Sequence, residues 1–243
     1  QFAAIGIRKG EPFNPDPRLR AALEQAVAVG NAAARMLGMG AGPSDQWRYY
    51  GPESSWWNPL FEGGYEFLDP PPIVTPDHAV EQFPRRGARR LHSRTSMFYI
   101  ATGVTPAMCM RLTNIGSQYL VCAVDSEGEP FDGSRTYVMA LPPDIPAGRF
   151  WSTTVYDNQS RSMLRTPQRF PRAGSQGYPT PAATPDADGF TRIYFGPTVP
   201  DGVQPGNWIQ TDPARGWFQI LRCYAPLQPF FDKTWQAGEV EPL

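Results

Sequence analysis

The sequence has few of the side chains that most often perform catalysis or hold metal ions. Among its 243 residues there are two histidines and three cysteines. Histidine is the usual base at neutral pH, so His78 and His92 are the two candidates for that role in a serine hydrolase triad. The G-x-S-x-G turn that exposes the catalytic serine of many hydrolases does not occur. We therefore expect both histidines to be ordinary surface residues.

The three cysteines, Cys109, Cys122 and Cys223, are too few for a disulfide framework and too far apart for a zinc pattern. Buried free thiols are the simplest interpretation. Cys122 and Cys223 both fall in apolar, strand-like runs, so a bond between them across two sheets remains an alternative.

Strong charge and long apolar runs are also missing. The net charge is −1 and the isoelectric point is near 6.2, which gives no field that would attract nucleic acid or an anionic membrane. No run approaches the roughly 20 apolar residues that span a bilayer, so we expect no membrane insertion. No cofactor motif is present, so we expect no cofactor, and the class of partner that remains is a small molecule.

The chain nevertheless contains enough apolar residues for a core and enough proline and glycine for long loops. Apolar residues make up 41% of it, and it contains 28 prolines and 23 glycines, which favour long ordered connections. Asp16 before Pro17 is a helix start, and apolar residues then recur every three or four positions to about residue 38. A second apolar segment, 95–112, predicts a buried helix bent near Gly103 and Pro106.

From about residue 117 the apolar period changes from 3.6 to 2. The predicted strands are 118–124, 135–141, 150–156, 190–195 and 217–224. No helical pattern of useful length interrupts this part, which argues against crossover helices and a parallel sheet. The predicted fold is mainly β: an antiparallel jelly-roll β-sandwich at 116–243, preceded by a small α-helical, aromatic-rich and loop-rich segment at 1–115.

A series of short runs, spread over nearly the whole chain, is more specific than composition. The runs are 5–7, 9–13, 116–120, 125–128, 150–158, 160–164, 193–197, Asn207-Trp208-Ile209-Gln210-Thr211, 216–218, Leu221-Arg222-Cys223-Tyr224-Ala225-Pro226 and 231–235. In this order they resemble the bacterial DUF1254/DUF1214 family. The resemblance implies a jelly-roll C-terminal domain, homo-oligomers and a periplasmic or secreted location. Full-length members also carry an N-terminal DUF1254-type domain, which we expect to be missing here. The family name records no established activity.

Two groups of polar residues in the Pro- and Arg-rich region are candidates for a metal site and for an anion site. Asp77, His78 and Glu81, with His92 as a remote fourth ligand, match no strong metal pattern, and we expect no metal site. The arginines of 85–94 could grip a phosphate or carboxylate, but a solvated or subunit-contacting loop is the favoured interpretation.

Polar residues at strand ends and clustered aromatic rings give the candidate functional site. Asp157, Arg161 and Tyr50 are our candidates for acid–base or orienting roles. The candidate ligand-binding residues are Trp47, Tyr49, Trp56, Trp57, Tyr156 and Trp208. The alternatives are that Asp157 serves its own turn and that the rings at 47–67 join the helical segment to the sandwich.

Two functional hypotheses follow. The first is a cofactor-free hydrolase that acts on a small or medium organic substrate. The second is a non-catalytic secreted or envelope module that binds a ligand or serves as a scaffold. Paired carboxylates with shifted pKa values would favour the first, and a flat aromatic surface would favour the second.

Overall fold

A computed structural model describes residues 2–39, 47–61 and 90–243, in which two four-stranded sheets form a sandwich. The strands are β1 (Ser117–Cys122), β2 (Tyr137–Leu141), β3 (Ala147–Asp157), β4 (Arg172–Gly174), β5 (Thr191–Gly196), β6 (Trp208–Gln210), β7 (Trp217–Pro226) and β8 (Val240–Pro242). The prediction of a mainly β fold with a small helical segment before it is confirmed.

The chain passes back and forth between the two sheets. The first sheet has the order β1-β7-β3-β4 and the second has the order β6-β5-β2-β8. Within the described part of the chain the strand pairs are antiparallel except β5 with β6, which is parallel and is reached without a crossover helix. The predicted antiparallel architecture therefore holds, with one short parallel pair at the edge of the second sheet.

The sandwich core lies between the inner faces of the sheets. Alternation along β7 points Trp217, Gln219, Leu221 and Cys223 inward, and each of them is at most 1% exposed. The ring of Trp217 stacks on that of Phe131 with a centroid distance of 4.1 Å. Removal of the apolar side chains of this layer from water stabilises the folded sandwich.

The helices are α1 (Pro17–Met39), α2 (Leu91–Ala101), α3 (Pro106–Cys109) and α4 (Gln228–Phe231), with short 3-10 turns at Phe2–Ile5, Pro59–Phe61 and Pro205–Asn207. The predicted start of α1 is confirmed, because Asp16 Oδ1 accepts the Leu19 N–H at 2.8 Å. The predicted bent helix at 95–112 is instead two helices, separated after Thr102, which has a φ of 59°.

Most of α1 does not pack on the sandwich, although one of its faces is apolar. Val27 is 71% and Met36 is 63% exposed, whereas Ala34, Gly38 and Met39 near the last turns are buried. Among the described residues of α1, those near its C-terminal end are therefore the ones that contribute to the core.

All three cysteines are free thiols. Cys122 and Cys223 point to the same side of neighbouring strands of one sheet, but Cys122 pairs in register with Gln219 and Cys223 with Gln118. The two cysteines lie on the same sheet and are offset by four residues along the strands, which is too far for a disulfide bond. The alternative of a bond between them across two sheets is therefore wrong. In the described ranges, no helix combines the length and the apolar character that a membrane crossing requires.

A short hairpin from the aromatic segment extends the first sheet. Trp57 exchanges both backbone hydrogen bonds with Val121 of β1, at 2.9 and 2.8 Å. Its ring and that of Trp47 lie 5.9 Å apart, on the outer face of the sheet beside Phe218. The outer face of the first sheet thus carries a second apolar layer, which α1 and α2 partly cover.

Candidate functional site

A charged residue stands in the middle of the outer face of the first sheet. Strand alternation places Phe218, Ile220, Arg222 and Tyr224 of β7 on this face. Because β7 lies between β1 and β3, Arg222 is flanked on both sides by other strands. An arginine in this position is costly to bury unless its charge is satisfied.

Two tyrosines surround Arg222. Its Nη2 donates a hydrogen bond to Tyr156 Oη at 2.6 Å, and its Cζ lies 5.6 Å from the ring centroids of both Tyr119 and Tyr156. Within the described residues no carboxylate forms an ion pair with this guanidinium. Among the described residues its hydrogen-bond partner is Tyr156, so the other N–H groups can serve water or a ligand.

The neighbouring wall is built by backbone pairing and one amide side chain. Asn58 follows the Trp57–Val121 pair, and its Nδ2 donates to the Tyr119 carbonyl at 2.9 Å. Its Oδ1 accepts the Leu60 N–H at 2.8 Å, which fixes the 3-10 turn Pro59–Phe61. This turn stands next to the sheet, opposite α2.

A cavity of about 190 Å³ lies between this turn, α2 and the outer face of the sheet. Its apolar lining comes from Leu60, Met97, Ile100, Met108, Val121 and Ile220. Arg222 and Tyr119 line it as well, together with Asn58. The cavity therefore joins an apolar body to a single cationic group, which is the usual composition of a site for a small organic ligand.

The tryptophans that we expected to bind ligand lie in the core. Trp47, Trp56 and Trp57 are 0–1% exposed. Trp56 belongs to the layer between the sheets and donates from Nε1 to the Gly238 carbonyl at 3.0 Å. These contacts are those of rings that join the N-terminal segment to the sandwich, and the ligand-binding role of the three remains a prediction.

The other candidate ligand-binding residues are divided among separate places. Tyr156 is the hydrogen-bond partner of Arg222. Tyr49 lines a different cleft beside α4 and donates from its hydroxyl to the Phe230 carbonyl at 2.5 Å. Trp208 lies on the second sheet, where its Nε1 donates to the Gly196 carbonyl at 3.2 Å.

The three candidate acid–base residues are not brought together. Tyr50 packs against the sandwich core, accepts the Ala237 N–H at 3.3 Å and has its pKa raised by burial. Arg161 has a φ of 60°, lies 4.3 Å above the Tyr99 ring and donates to the Tyr99 carbonyl at 3.0 Å. It thereby ties the loop after β3 to α2.

Asp157 ends β3 and organises the turn that follows. Its Oδ1 accepts the N–H groups of Gln159 and Ser160, both at 2.7 Å, and its Oδ2 accepts Arg215 Nη1 at 2.6 Å. Burial raises its pKa, but the hydrogen bonds from Ser160, Arg215 and Gln159 outweigh burial, and the net pKa is lowered. The carboxylate thus serves its own turn, while an acid–base role stays a prediction.

We expect Asp157→Asn to destabilise the fold at pH 7 by about 1–3 kcal/mol, because it removes the charged partner of Arg215 and of two turn amides. A lowered folded-state pKa means that the stabilisation is present above the unfolded value of about 3.9 and is lost as pH falls through the folded value. The difference between wild type and variant should therefore shrink below pH 4. Urea unfolding at several pH values measures it, with Asp201→Asn in an exposed turn as control. A difference that does not change with pH would contradict this assignment.

The remaining nucleophiles and metal ligands that the structure describes do not form a recognisable site. Burial raises the pKa of Cys223 to about 12 and that of Cys109 to about 11, and it raises that of Cys122 as well, so these residues are thiols at neutral pH. His92 is exposed on α2. Over the described ranges, no three His, Cys, Asp or Glu side chains are grouped to hold a metal ion.

Some of the candidates fall on residues that the structure does not describe. These are Asp77, His78, Glu81 and the arginines before Arg90.

Arg222 belongs to one of the runs that carry the family resemblance, but it is not among the site residues predicted from the sequence. A signal was present, because the alternation that places Phe218 and Ile220 on one face of β7 places Arg222 on the same face. A charge in an apolar stripe of a central strand indicates a special environment. The sequence did not indicate that β7 is a central strand of the sheet, or that α2 covers the face of the sheet that carries Arg222.

Comparison with protein families supports part of the resemblance. A family model described as "Protein of unknown function (DUF1214)" matches residues 116–228, which contain β1 to β7. The DUF1254 part of the resemblance has no such support and stays a prediction. A comparison with curated proteins finds no match.

Two solved structures are similar to this chain. The VPA0106 protein from Vibrio parahaemolyticus is 18% identical with a TM-score of 0.47, and the alignment covers 100% of this chain and 49% of that one. An uncharacterised protein from Burkholderia cenocepacia is 13% identical with a TM-score of 0.42, and the alignment covers 97% of this chain and 45% of that one. The chain thus spans about half the length of each. No activity is established by these comparisons.

Proposed function

We propose that this protein binds a small organic carboxylate whose apolar body fills the cavity beneath α2 and whose carboxylate contacts Arg222. The observation that carries the proposal is a guanidinium without a carboxylate partner among the described residues, at the wall of a mostly apolar cavity. This is the second of the two functional hypotheses, a ligand-binding module, with its site placed at the first sheet.

The charge of Arg222 selects the chemical class of the ligand. Arginine presents a planar fork of donors that fits a carboxylate with two parallel hydrogen bonds. Tyr156 holds one edge of the guanidinium, at 2.6 Å, and so restricts its orientation. Preorganisation of this kind lowers the entropic cost of binding.

The volume of the cavity limits the size of the ligand. An apolar cavity of about 150 Å³ accommodates benzene, and the cavity here is about 190 Å³. A phenyl ring or a chain of about six carbons fits this space. Met97 and Met108 contribute flexible, polarisable walls that adapt to such shapes.

Phenylacetate is a suitable first probe, with phenylacetamide as its neutral isostere. We expect phenylacetate to shift the methyl NMR signals of Met97 and Met108 and to leave those of Met36 and Met163, which are 63% and 52% exposed, unchanged. Phenylacetamide should bind more weakly by about tenfold or more, because it lacks the charge that Arg222 recognises.

Equal binding of the acid and the amide would contradict the role of charge. Equal shifts at all four methionines would contradict the location of the site. Hexanoate, an aliphatic acid of similar length, tests whether the cavity requires an aromatic ring.

A hydrolase remains the alternative, and it requires an activated nucleophile next to a base. Tyr50, Asp157 and Arg161 occupy separate places, and the thiols have raised pKa values. Ligand binding without catalysis is the function that this geometry supports better. Homo-oligomerisation, a periplasmic or secreted location and an additional N-terminal domain are predictions that follow from the resemblance alone.

A further inference from the structure

A second cleft lies beside α4, and its lining residues differ from those of the Arg222 cavity. Three cationic side chains, Arg48, Arg111 and Lys233, line a cleft of about 550 Å³. They come from three distant segments of the chain. No carboxylate is among the lining residues that the structure gives for this cleft.

The cations are held against aromatic rings. Lys233 Nζ lies 5.0 Å from the centroid of the Tyr49 ring, and Arg111 Cζ lies 4.4 Å from that of Phe61. The Tyr49 and Phe61 rings themselves pack with centroids 4.9 Å apart. Contact with ring faces orients a cation without neutralising it, so the positive charge remains available to a ligand.

Neither Arg111 nor Lys233 forms an ion pair with a described residue. Asp232, which directly follows α4 and precedes Lys233, is engaged by its own turn, since its Oδ1 accepts the N–H of Thr234 at 3.1 Å and its Oγ1–H at 2.7 Å. The charged side chains among the described residues that line the cleft are therefore all cationic, in a chain whose net charge is −1.

Neutral donors and acceptors complete the lining. Thr113 Oγ1 donates to Gln228 Oε1 at 3.3 Å, and both residues line the cleft. The amide nitrogen of Gln228 can donate to an anionic oxygen, as can the hydroxyl of Thr113 after rotation.

We propose that this cleft binds a small molecule with two or more anionic groups. Arg111 and Lys233, which lie far apart in the sequence, each contact one of these groups. Carboxylate and phosphate groups share the chemistry that these side chains recognise. The cleft is separate from the Arg222 cavity, and the proposal does not depend on the function proposed for that cavity.

The test is calorimetric titration of the purified chain at low ionic strength with citrate, pyrophosphate and acetate. We expect citrate or pyrophosphate to bind and acetate to bind much more weakly, since it carries one charge. Stronger binding of citrate indicates a polycarboxylate ligand, and stronger binding of pyrophosphate indicates a ligand with phosphate groups. Raising the salt concentration should weaken both.

Lys233→Gln and Arg111→Gln should each weaken binding by about fivefold or more. The matched control is Lys9→Gln, which removes the only other lysine at a site outside the cleft. Thermal melts of all variants verify folding. An absence of binding at millimolar concentrations, equal binding of acetate, or equal weakening by Lys9→Gln would overturn the proposal.

Discussion

Replacing Arg222 with methionine is expected to weaken phenylacetate binding by roughly 10- to 100-fold, because a hydrogen bond to a charged group contributes about 1.5–3 kcal/mol. Methionine keeps the length of the side chain and the apolar character of the cavity, so the ring of the ligand still fits. The affinity for phenylacetamide should change little. Calorimetry with both ligands measures the two effects on the same variant.

Two conservative variants separate charge from geometry. Arg222→Lys keeps the charge but loses the planar fork, and we expect an intermediate affinity. Tyr156→Phe keeps the ring that stacks on Phe218, at a centroid distance of 5.2 Å, and removes the hydroxyl that orients Arg222. Tyr156 is thus a positioning residue, and its loss should weaken binding of the acid but leave that of the amide unchanged.

The matched control for charge is Arg149→Met, which removes an exposed arginine from β3 of the same sheet. It should leave both affinities unchanged. If Arg222→Met binds phenylacetate as wild type does, the carboxylate does not contact Arg222 and the proposed function is wrong.

Truncating Trp217 to alanine is expected to lower the free energy of unfolding by about 3–5 kcal/mol, the range measured for large core residues. Trp217 is 1% exposed and stands at the centre of a group of rings. Phe131 and Phe195 stack on it at 4.1 and 5.0 Å, and Tyr137 meets it edge-on at 5.6 Å. Its removal leaves a cavity between both sheets. Since whole domains are stable by only about 5–15 kcal/mol, this loss is severe.

Trp217→Phe should cost much less. The indole Nε1 of Trp217 has no hydrogen-bond partner among the described residues, so phenylalanine removes volume but breaks no hydrogen bond. Val29→Ala on α1, where Val29 is 69% exposed, should change stability by less than about 0.5 kcal/mol. Urea denaturation of the three variants gives the comparison. An equal loss in Trp217→Phe and Trp217→Ala would show that ring stacking does not set the stability here.

The long, strongly periodic elements were predictable because their signals are local. Asp16 and Pro17 mark the start of α1 in the sequence, and the structure begins the helix there. The alternation at 150–156 and 217–224 correctly predicted β3 and β7, which form the centre of the first sheet. These patterns depend on the burial of one face and need no knowledge of the partner strand.

The short edge strands were missed for the opposite reason. β4, β6 and β8 contain three residues each, which is too short for a period to be recognised. Their conformation follows from pairing with β3, β5 and β2. The parallel direction of β6 is likewise set by the path of the loop before it, which includes the 3-10 turn Pro205–Asn207.

The sequence by itself determined the class of the fold, the position of the first long helix, the five principal strands and the scarcity of catalytic side chains. Only the tertiary structure decided which polar groups meet. Arg222 reaches a cavity whose other walls come from residues near 60 and near 100, and Lys233 shares a cleft with Arg48 and Arg111. Such neighbours are separated by up to 185 residues along the chain, and the physical reason is that sheet order and the docking of α2, which no local pattern encodes, bring them together.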